Sequence, residues 1–461
     1  MKTMYKWTLS AVLWIALLFA VSCDFPEEGE DGVLPEEPTP GFVTHPENLN
    51  IVYFVPTDNP AVTDYEERLS ELLIYFQDYV KSEMDRNGFG QKTFGLPVDT
   101  INNRVKLVTI QGEHDQATYD YGSGSTIISE INAYKQAHPE DFSSEHTLII
   151  LPERTDGGSQ PFYGSGRSCF ALDNPNIKVE EIPVTSSNYI GGMLHELGHG
   201  LGLSHNKATV SEQQSLGTSL MGSGNTTFGR QPTFITEVDC AILNRNQIFQ
   251  STPVPGIYEG ATTTASPQLT FDDATQSLHV QGSFTSDKTV SDILFWLDPN
   301  VNNEGSGVNK DYNSVGWRGL VLSGNTYNIN LPVQEIQDHG DWQYELKIKL
   351  LMQNGTIKTH TYSFEFVNGE YTPETKAGVY QHSSYNGWGV ELEAGSYTTS
   401  QLVALGGIDN DISSVRVPLG LKVTLYSEDN FTGESYEVTT GNVSFLSAFN
   451  DKTSSIVVEE D

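Results

Sequence analysis

The stretch "GGMLHELGHGLGLSHN", residues 191–206, sets three histidines and a glutamate among glycines and leucines. Such groups are poor material for an apolar helix unless something is held there. At about 3.6 residues per turn, His195 and His199 stand one above the other on one helix face, so their imidazoles can converge. Glu196 is displaced around the helix toward whatever they hold. Histidines at i and i+4 with a glutamate after the first form the zinc pattern H-E-x-x-H. Two ligands leave a tetrahedral site incomplete, and "GLGLSH" supplies a third: Gly202 permits a sharp turn and His205 can fold back. The fourth position stays open for water, as in a catalytic rather than a structural zinc site.

The pattern His195-Glu196-x-x-His199-x-x-Gly202-x-x-His205 resembles the metzincin clan of zinc metallopeptidases. The resemblance covers roughly 47–250 and implies one zinc on His195, His199 and His205, with Glu196 as general base. It also implies a methionine in a tight turn beneath the metal. Met221, in "GTSLMGSGN", follows His205 by sixteen residues and sits among turn formers. Some families of the clan place a tyrosine two residues after that methionine as a further ligand. This chain has Ser223 there, so no such ligand is expected, and Asn206 after His205 settles no subfamily. The clan pairs substrate with the strand before the active-site helix, and "GSGRSCFAL" (164–172) takes that place. Arg167 within it is either a substrate contact or a solvated edge charge.

Upstream, "NIVYFVP" (50–56) reads as a buried strand closed by proline. Thr63 with Glu66 offers a capping box. Behind it Leu69, Leu72, Leu73, Phe76, Val80 and Met84 recur at helical spacing up to "NGFG". Strands are expected at "RVKLVTI" (104–110) and "HTLIILP" (146–152), a helix at "STIISEINAYKQ" (125–136), and short strands at "RSCFAL" and "IKVEEIP". Thr236 and Asp239 suggest a capped helix, "EVDCAILNRNQIF". The order is that of a mixed α/β domain.

From "GATTTASP" (260–267) onward short strands alternate with turns, and Asn354–Gly355 between two of them marks a hairpin. This reads as a β-sandwich, followed by the linker "NGEYTPETKAG". Beyond it two stretches echo each other, 378–397 and 423–442. Both carry the same aromatic–aromatic–glycine grammar, as Tyr380/Tyr385/Gly387 and Tyr426/Phe431/Gly433. Matching hexamers follow, "DNDISS" (409–414) and "NDKTSS" (450–455). Residues 378–461 resemble a βγ-crystallin domain, two Greek keys packed as a sandwich. The resemblance implies two calcium sites, with Asp409, Asn410, Ser413, Asn450, Asp451 and Ser454 as ligands and each site drawing on both motifs. Calcium favours such clustered oxygens, although the same residue types also dominate plain turns.

The chain begins with Lys2 and Lys6 and an apolar run, "AVLWIALLFAV", shorter than a membrane span. It ends at "AVSC", which resembles the lipobox of bacterial lipoproteins, with Ala20 where leucine is commoner. The resemblance implies acylation of Cys23 and an anchored, non-spanning protein. The acidic, proline-rich "DFPEEGEDGVLPEEPTP" after it can bury little and reads as a tether. With 25 Lys+Arg against 60 Asp+Glu, the net charge of −35 argues against nucleic acid as a partner. Cys169 and Cys240 could pair or stay as thiols.

The expected architecture is multidomain. A lipoprotein signal peptide (1–22) and tether (23–46) precede an α/β metzincin-like domain (47–255), an all-β sandwich (260–368) and a βγ-crystallin-like Greek-key sandwich (378–461). The expected function is a monomeric zinc endopeptidase of extracellular proteins or glycoproteins, lipid-anchored at a bacterial outer membrane and displayed on the surface. The alternatives are an adhesion lipoprotein with a vestigial peptidase domain, and a hydrolase of non-peptide amides.

Overall fold

Strand β1 (Asn50–Val55) is buried along its whole length, as a strand must be when both faces of its sheet are covered. Its alternate residues feed two cores. Ile51, Tyr53 and Val55 face one layer, while Val52 and Phe54 face the other. The computed structural model describes residues 41–182, 187–301 and 311–461. The expected leader, Cys23 and most of the tether lie outside the described residues.

Helix α1 (Tyr65–Arg86) buries Leu69, Leu72, Leu73, Phe76, Val80 and Met84, the face its periodicity predicts. Its start differs from expectation: Asp64, at φ 57°, precedes the helix and no side chain caps it. The Thr63–Glu66 capping box does not form, and Glu66 pairs with Arg104 instead. The segment 104–110 is not one strand. β2 (Val98–Asp99) and β3 (Arg104–Val105) make a small hairpin, and β4 (Val108–Gln111) alone joins the main sheet. Val105 turns into the α1 core while Val108 and Ile110 face the opposite layer, so a single straight strand would serve neither.

Helix α2 (Gly124–Ala137) covers the second face through Ile127 and Ile131. β5 (Thr147–Pro152), β6 (Gly164–Ser165) and β7 (Ser168–Asp173) complete a five-stranded sheet of order β4-β1-β5-β7-β6, parallel except for β6. Residues 179–181 form a single 3-10 turn rather than the expected strand, because β7 already has β5 and β6 on its two sides. Asp173, fully buried at the end of β7, takes both guanidinium arms of Arg68 at 3.0 Å and the Tyr53 hydroxyl at 2.9 Å. That pairing ties α1 to the end of β7.

Helix α3 (Ser187–Gly200) lies on the α1 face. After it come α4 (Val210–Ser215), the paired short strands β8 (Thr218–Ser219) and β9 (Thr233–Phe234), the turn of α5 (Asn225–Thr227), and α6 (Glu237–Leu243). Thr236 caps α6 by accepting from the Asp239 amide, as expected, but the helix stops at Leu243. The two cysteines among the described residues, Cys169 and Cys240, are buried free thiols.

The next region is two packed sheets. One is three-stranded, with β10 (Thr263–Asp272), β11 (Ser277–Ser286) and β14 (Thr326–Pro332). The other has order β13-β12-β15-β16-β17, from β12 (Val290–Pro299), β13 (Val315–Gly319), β15 (Gln343–Met352), β16 (Ile357–Val367) and β17 (Glu370–Pro373). β17 falls in the stretch expected as linker. β12 is buried on both faces: Ile293, Phe295 and Leu297 point between the sheets, whereas Leu294 and Trp296 enter the core of α1 and α3. The sandwich and the α/β region therefore share a core.

The last sheet joins β18 (Ala377–His382), β19 (Asn386–Leu392), β20 (Gly395–Tyr397), β21 (Ser414–Glu428), β22 (Thr432–Val443) and β23 (Ser455–Glu460), with helix α7 (Thr399–Ala404) beside it. The repeated grammar has a structural cause. Tyr380 meets Tyr385 and Tyr426 meets Phe431 nearly edge-on, at 5.6 and 6.1 Å. The closing serine of each hexamer does one job twice: Ser414 and Ser455 accept from the amides of Tyr385 and Phe431 and donate to the carbonyls of His382 and Glu428.

Candidate metal centre and cleft

Helix α3 brings His195 and His199 to one face, and the turn at Gly202, at φ 91°, returns the chain so that His205 meets them. One ligand atom from each of the three lies within 4.8 Å of the others. His195 Nδ1 is 2.8 Å from the Leu220 carbonyl and His199 Nδ1 is 2.9 Å from the Leu203 carbonyl. A carbonyl only accepts, so both Nδ1 atoms carry the proton and both Nε2 lone pairs face inward. His199 Nε2 lies 3.1 Å from His205 Nε2. Burial holds His195 and His199 below the usual histidine range, His195 down to about 3, which keeps the imidazoles neutral. Neutral, back-bonded imidazoles converging on one point are a donor set suited to zinc.

Met221 is fully buried under this group, and a Cβ on Gly198 would stand 2.5 Å from its sulfur. The turn at Met221 thus presses directly on the helix between the two histidines, and Leu220 beside it supplies the carbonyl for His195. Gly164, on β6, comes equally close: a Cβ there would meet the His199 Cβ at 2.3 Å. Burial pushes the Glu196 carboxyl up to about 7, against the Gly164 backbone amide, which favours its ionised form.

These groups line a cleft of about 630 Å³. One wall is aromatic, with Tyr121 meeting Tyr163 edge-on at 5.1 Å and Phe162 beside them. The other offers Ser223, Asn225 and Thr226. Two expectations about the approach strand change. β7 lies inside the sheet, and the edge strand along the cleft is β6. Arg167 turns away from the ligands, pairing with Glu145 at 2.7 Å and stacking over Tyr258 at 4.0 Å.

The sequence reading missed several residues here. Tyr312, between β12 and β13, lays its ring 4.0 Å from that of His205. Asn206 is fully buried and donates to both oxygens of the equally buried Asp239, at 2.9 and 3.0 Å. A polar residue directly after the third histidine was the available signal for Asn206; nothing local pointed to Tyr312.

The calcium candidates meet in pairs across the repeat. Ser413 Oγ lies 3.3 Å from Asp451 Oδ1, and Ser454 Oγ lies 3.4 Å from Asn410 Oδ1. Asn410 and Asp451 both take left-handed backbone, at φ 54° and 53°, and Asn450 Oδ1 is buried without a protein partner. Asp409 is exposed at the rim.

No family model matches the chain. Its structure is similar to that of OgpA from Akkermansia muciniphila, at 33% identity over 70% of this chain and 95% of that one, with a TM-score of 0.65. A catalytically inactive OgpA in complex with an O-glycopeptide substrate, glycodrosocin, matches at 32% identity over 70% of this chain and 94% of that one, with a TM-score of 0.66. Development-specific protein S of Myxococcus xanthus is 44% identical over 80 residues, 17% of this chain and 46% of that protein. The chain thus spans about half the length of the curated relatives it matches. A βγ-crystallin domain from Flavobacterium johnsoniae matches 18% of this chain and 94% of its own length at 37% identity, with a TM-score of 0.18.

Proposed function

We propose that the chain is a zinc-dependent endopeptidase that cleaves O-glycosylated proteins. The observation that carries this reading is the convergence of three imidazoles beside a half-buried glutamate, in a chain similar to OgpA over 95% of OgpA's length. OgpA's O-glycopeptide complex supports the substrate class. The cleft walls suit it: aromatic rings take the C–H faces of sugars, while hydroxyls and amides take their polar edges.

When bound, zinc would supply a Lewis acid for the scissile carbonyl and make water more acidic. Glu196 takes a proton from the attacking water and returns it to the leaving amine nitrogen as the C–N bond breaks. The free edge of β6 holds an extended peptide by its main-chain groups.

Matched peptides with and without an O-linked sugar test the substrate class. The glycosylated form is expected to be cleaved at least about tenfold faster in kcat/KM, a modest 1.4 kcal/mol of transition-state preference. Equal rates would remove the sugar from the proposal, and no cleavage of either would reject the peptidase.

In this reading residues 378–461 are a calcium-binding crystallin-like module whose two sites each combine oxygens from both hexamers. Calcium would bind the folded state preferentially and raise its stability, by about 2.7 kcal/mol per site at 100-fold excess over Kd. The full chain should show a melting transition that rises in calcium and falls in chelator. Asp451→Ala should remove part of the gain, and an unchanged transition would reduce the hexamers to turns.

We also propose acylation of Cys23 and display at a bacterial outer surface. Among the described residues no helix is long and apolar enough to cross a membrane. Expressed in its native envelope, the protein should partition into detergent and carry acyl chains on Cys23. A mature N-terminus elsewhere would refute this.

A further inference from the structure

The three ligands are not supported alike. His195 and His199 are held by α3 and by carbonyls of their own region, Leu220 and Leu203. His205 lies in a segment without helix or strand. Its main-chain carbonyl accepts from Trp296 Nε1 at 3.3 Å and lies 3.2 Å from Ser314 Oγ, whose single proton it shares with the Asp311 carbonyl at 2.9 Å. Both donors belong to the β-sandwich.

The neighbours of His205 alternate in what holds them. Ser204 Oγ is 3.0 Å from Lys349 Nζ, and the Lys207 amide donates to the Ser314 carbonyl at 2.7 Å; both partners are in the sandwich. Lys207 also pairs through its side chain with Asp338. Asn206 points the other way, to Asp239 and to the Met221 carbonyl. Residues 204–207 therefore lie as an extended strap clamped between two regions. Trp296 and Ser314 are fully buried, and Lys349 sits 3.7 Å over the Trp296 ring. Tyr312 adds its ring against the His205 imidazole on the cleft side.

We infer that the β-sandwich is part of the metal centre: Trp296 and Ser314 are positioning residues that set where His205 stands, and through it how tightly zinc is held. The inference rests on the reading of His195, His199 and His205 as the ligands. The Trp296 N–H and the shared Ser314 hydroxyl on one carbonyl, with the Lys207 amide on the Ser314 carbonyl, fix the main chain beside the ligand's own Cα, where a small shift moves the imidazole off the meeting point. Partners behind metal ligands are worth about ten- to a hundredfold in metal affinity.

The test is zinc affinity by competition with a chromophoric chelator, on the full chain and independent of turnover. Trp296→Phe keeps an aromatic ring in the core but loses the N–H, and Ser314→Ala loses only the hydroxyl. Each should weaken zinc binding by about tenfold or more, and the cobalt-substituted forms should show altered visible spectra, the signature of a displaced nitrogen ligand. Phe364→Leu is the control, because Phe364 is fully buried within the sandwich and lies in a different core cluster from the α/β region. It should lower the melting temperature and leave zinc affinity unchanged. Affinity and spectra in Trp296→Phe and Ser314→Ala equal to wild type, or no worse than in Phe364→Leu, would overturn the inference. A wild-type chain that binds no zinc would instead overturn the ligand reading, and this inference with it.

Discussion

Glu196→Ala is expected to keep its zinc and to lose peptide hydrolysis by about two to four orders of magnitude, the usual worth of a positioned general base. Zinc should stay because, among the described residues, the group of donor atoms lying within 4.8 Å of one another consists of the three histidines. Activity should fall because Glu196, half-buried in the cleft beside the three histidines, is the carboxylate placed to accept and release the proton. A neutral alanine can do neither, and the loss corresponds to roughly 3–5 kcal/mol of barrier. Metal content and kcat/KM on a glycopeptide should be measured on one preparation. Wild-type turnover would reject the base assignment, and lost zinc would make Glu196 a ligand.

His199→Ala is expected to abolish both metal and activity. His199 is central to the group: its Nδ1 is tied to the Leu203 carbonyl and its Nε2 lies 3.1 Å from that of His205. Dividing the ~10–16 kcal/mol of a structural zinc site among its four ligands puts about 2.5–4 kcal/mol on each, on the order of a hundred- to a thousandfold loss of affinity. Stoichiometric zinc after dialysis in the parent, and little or none in the variant, is the expected pair of results. Full retention would sink the centre as described.

Much of this is legible locally. The buried face of α1 follows from apolar spacing at 3.6 residues, and the full burial of β1 follows from an unbroken apolar run closed by proline. The aromatic–glycine grammar of the last domain reports a hairpin that packs on its own closing serine, a constraint confined to each repeat and hence visible as repetition. Local signals fail where two layers compete for one segment. Residues 104–110 look like one strand, but Val105 is taken by one core while Val108 and Ile110 are taken by the other. Thr63 and Glu66 have capping-box spacing, yet Arg104, distant in sequence, draws Glu66 away.

The sequence alone picked out the three histidines that the structure brings together, the glutamate beside them and the methionine beneath them, since i, i+4 spacing, one glycine turn and a downstream Met are short-range features of a single stretch of chain. Only the tertiary structure decided what holds the third histidine. Trp296 and Ser314 reach the His205 carbonyl across separations of 91 and 109 residues. A carbonyl has no side-chain identity to leave in the sequence, and its partners are a tryptophan and a serine that otherwise look like ordinary sandwich residues. Their role exists only because Leu294 and Trp296, on the outer face of β12, are buried in the core of another domain. Hydrophobic burial brought the two surfaces together, and the hydrogen bonds at their seam hold the chain that carries the third histidine.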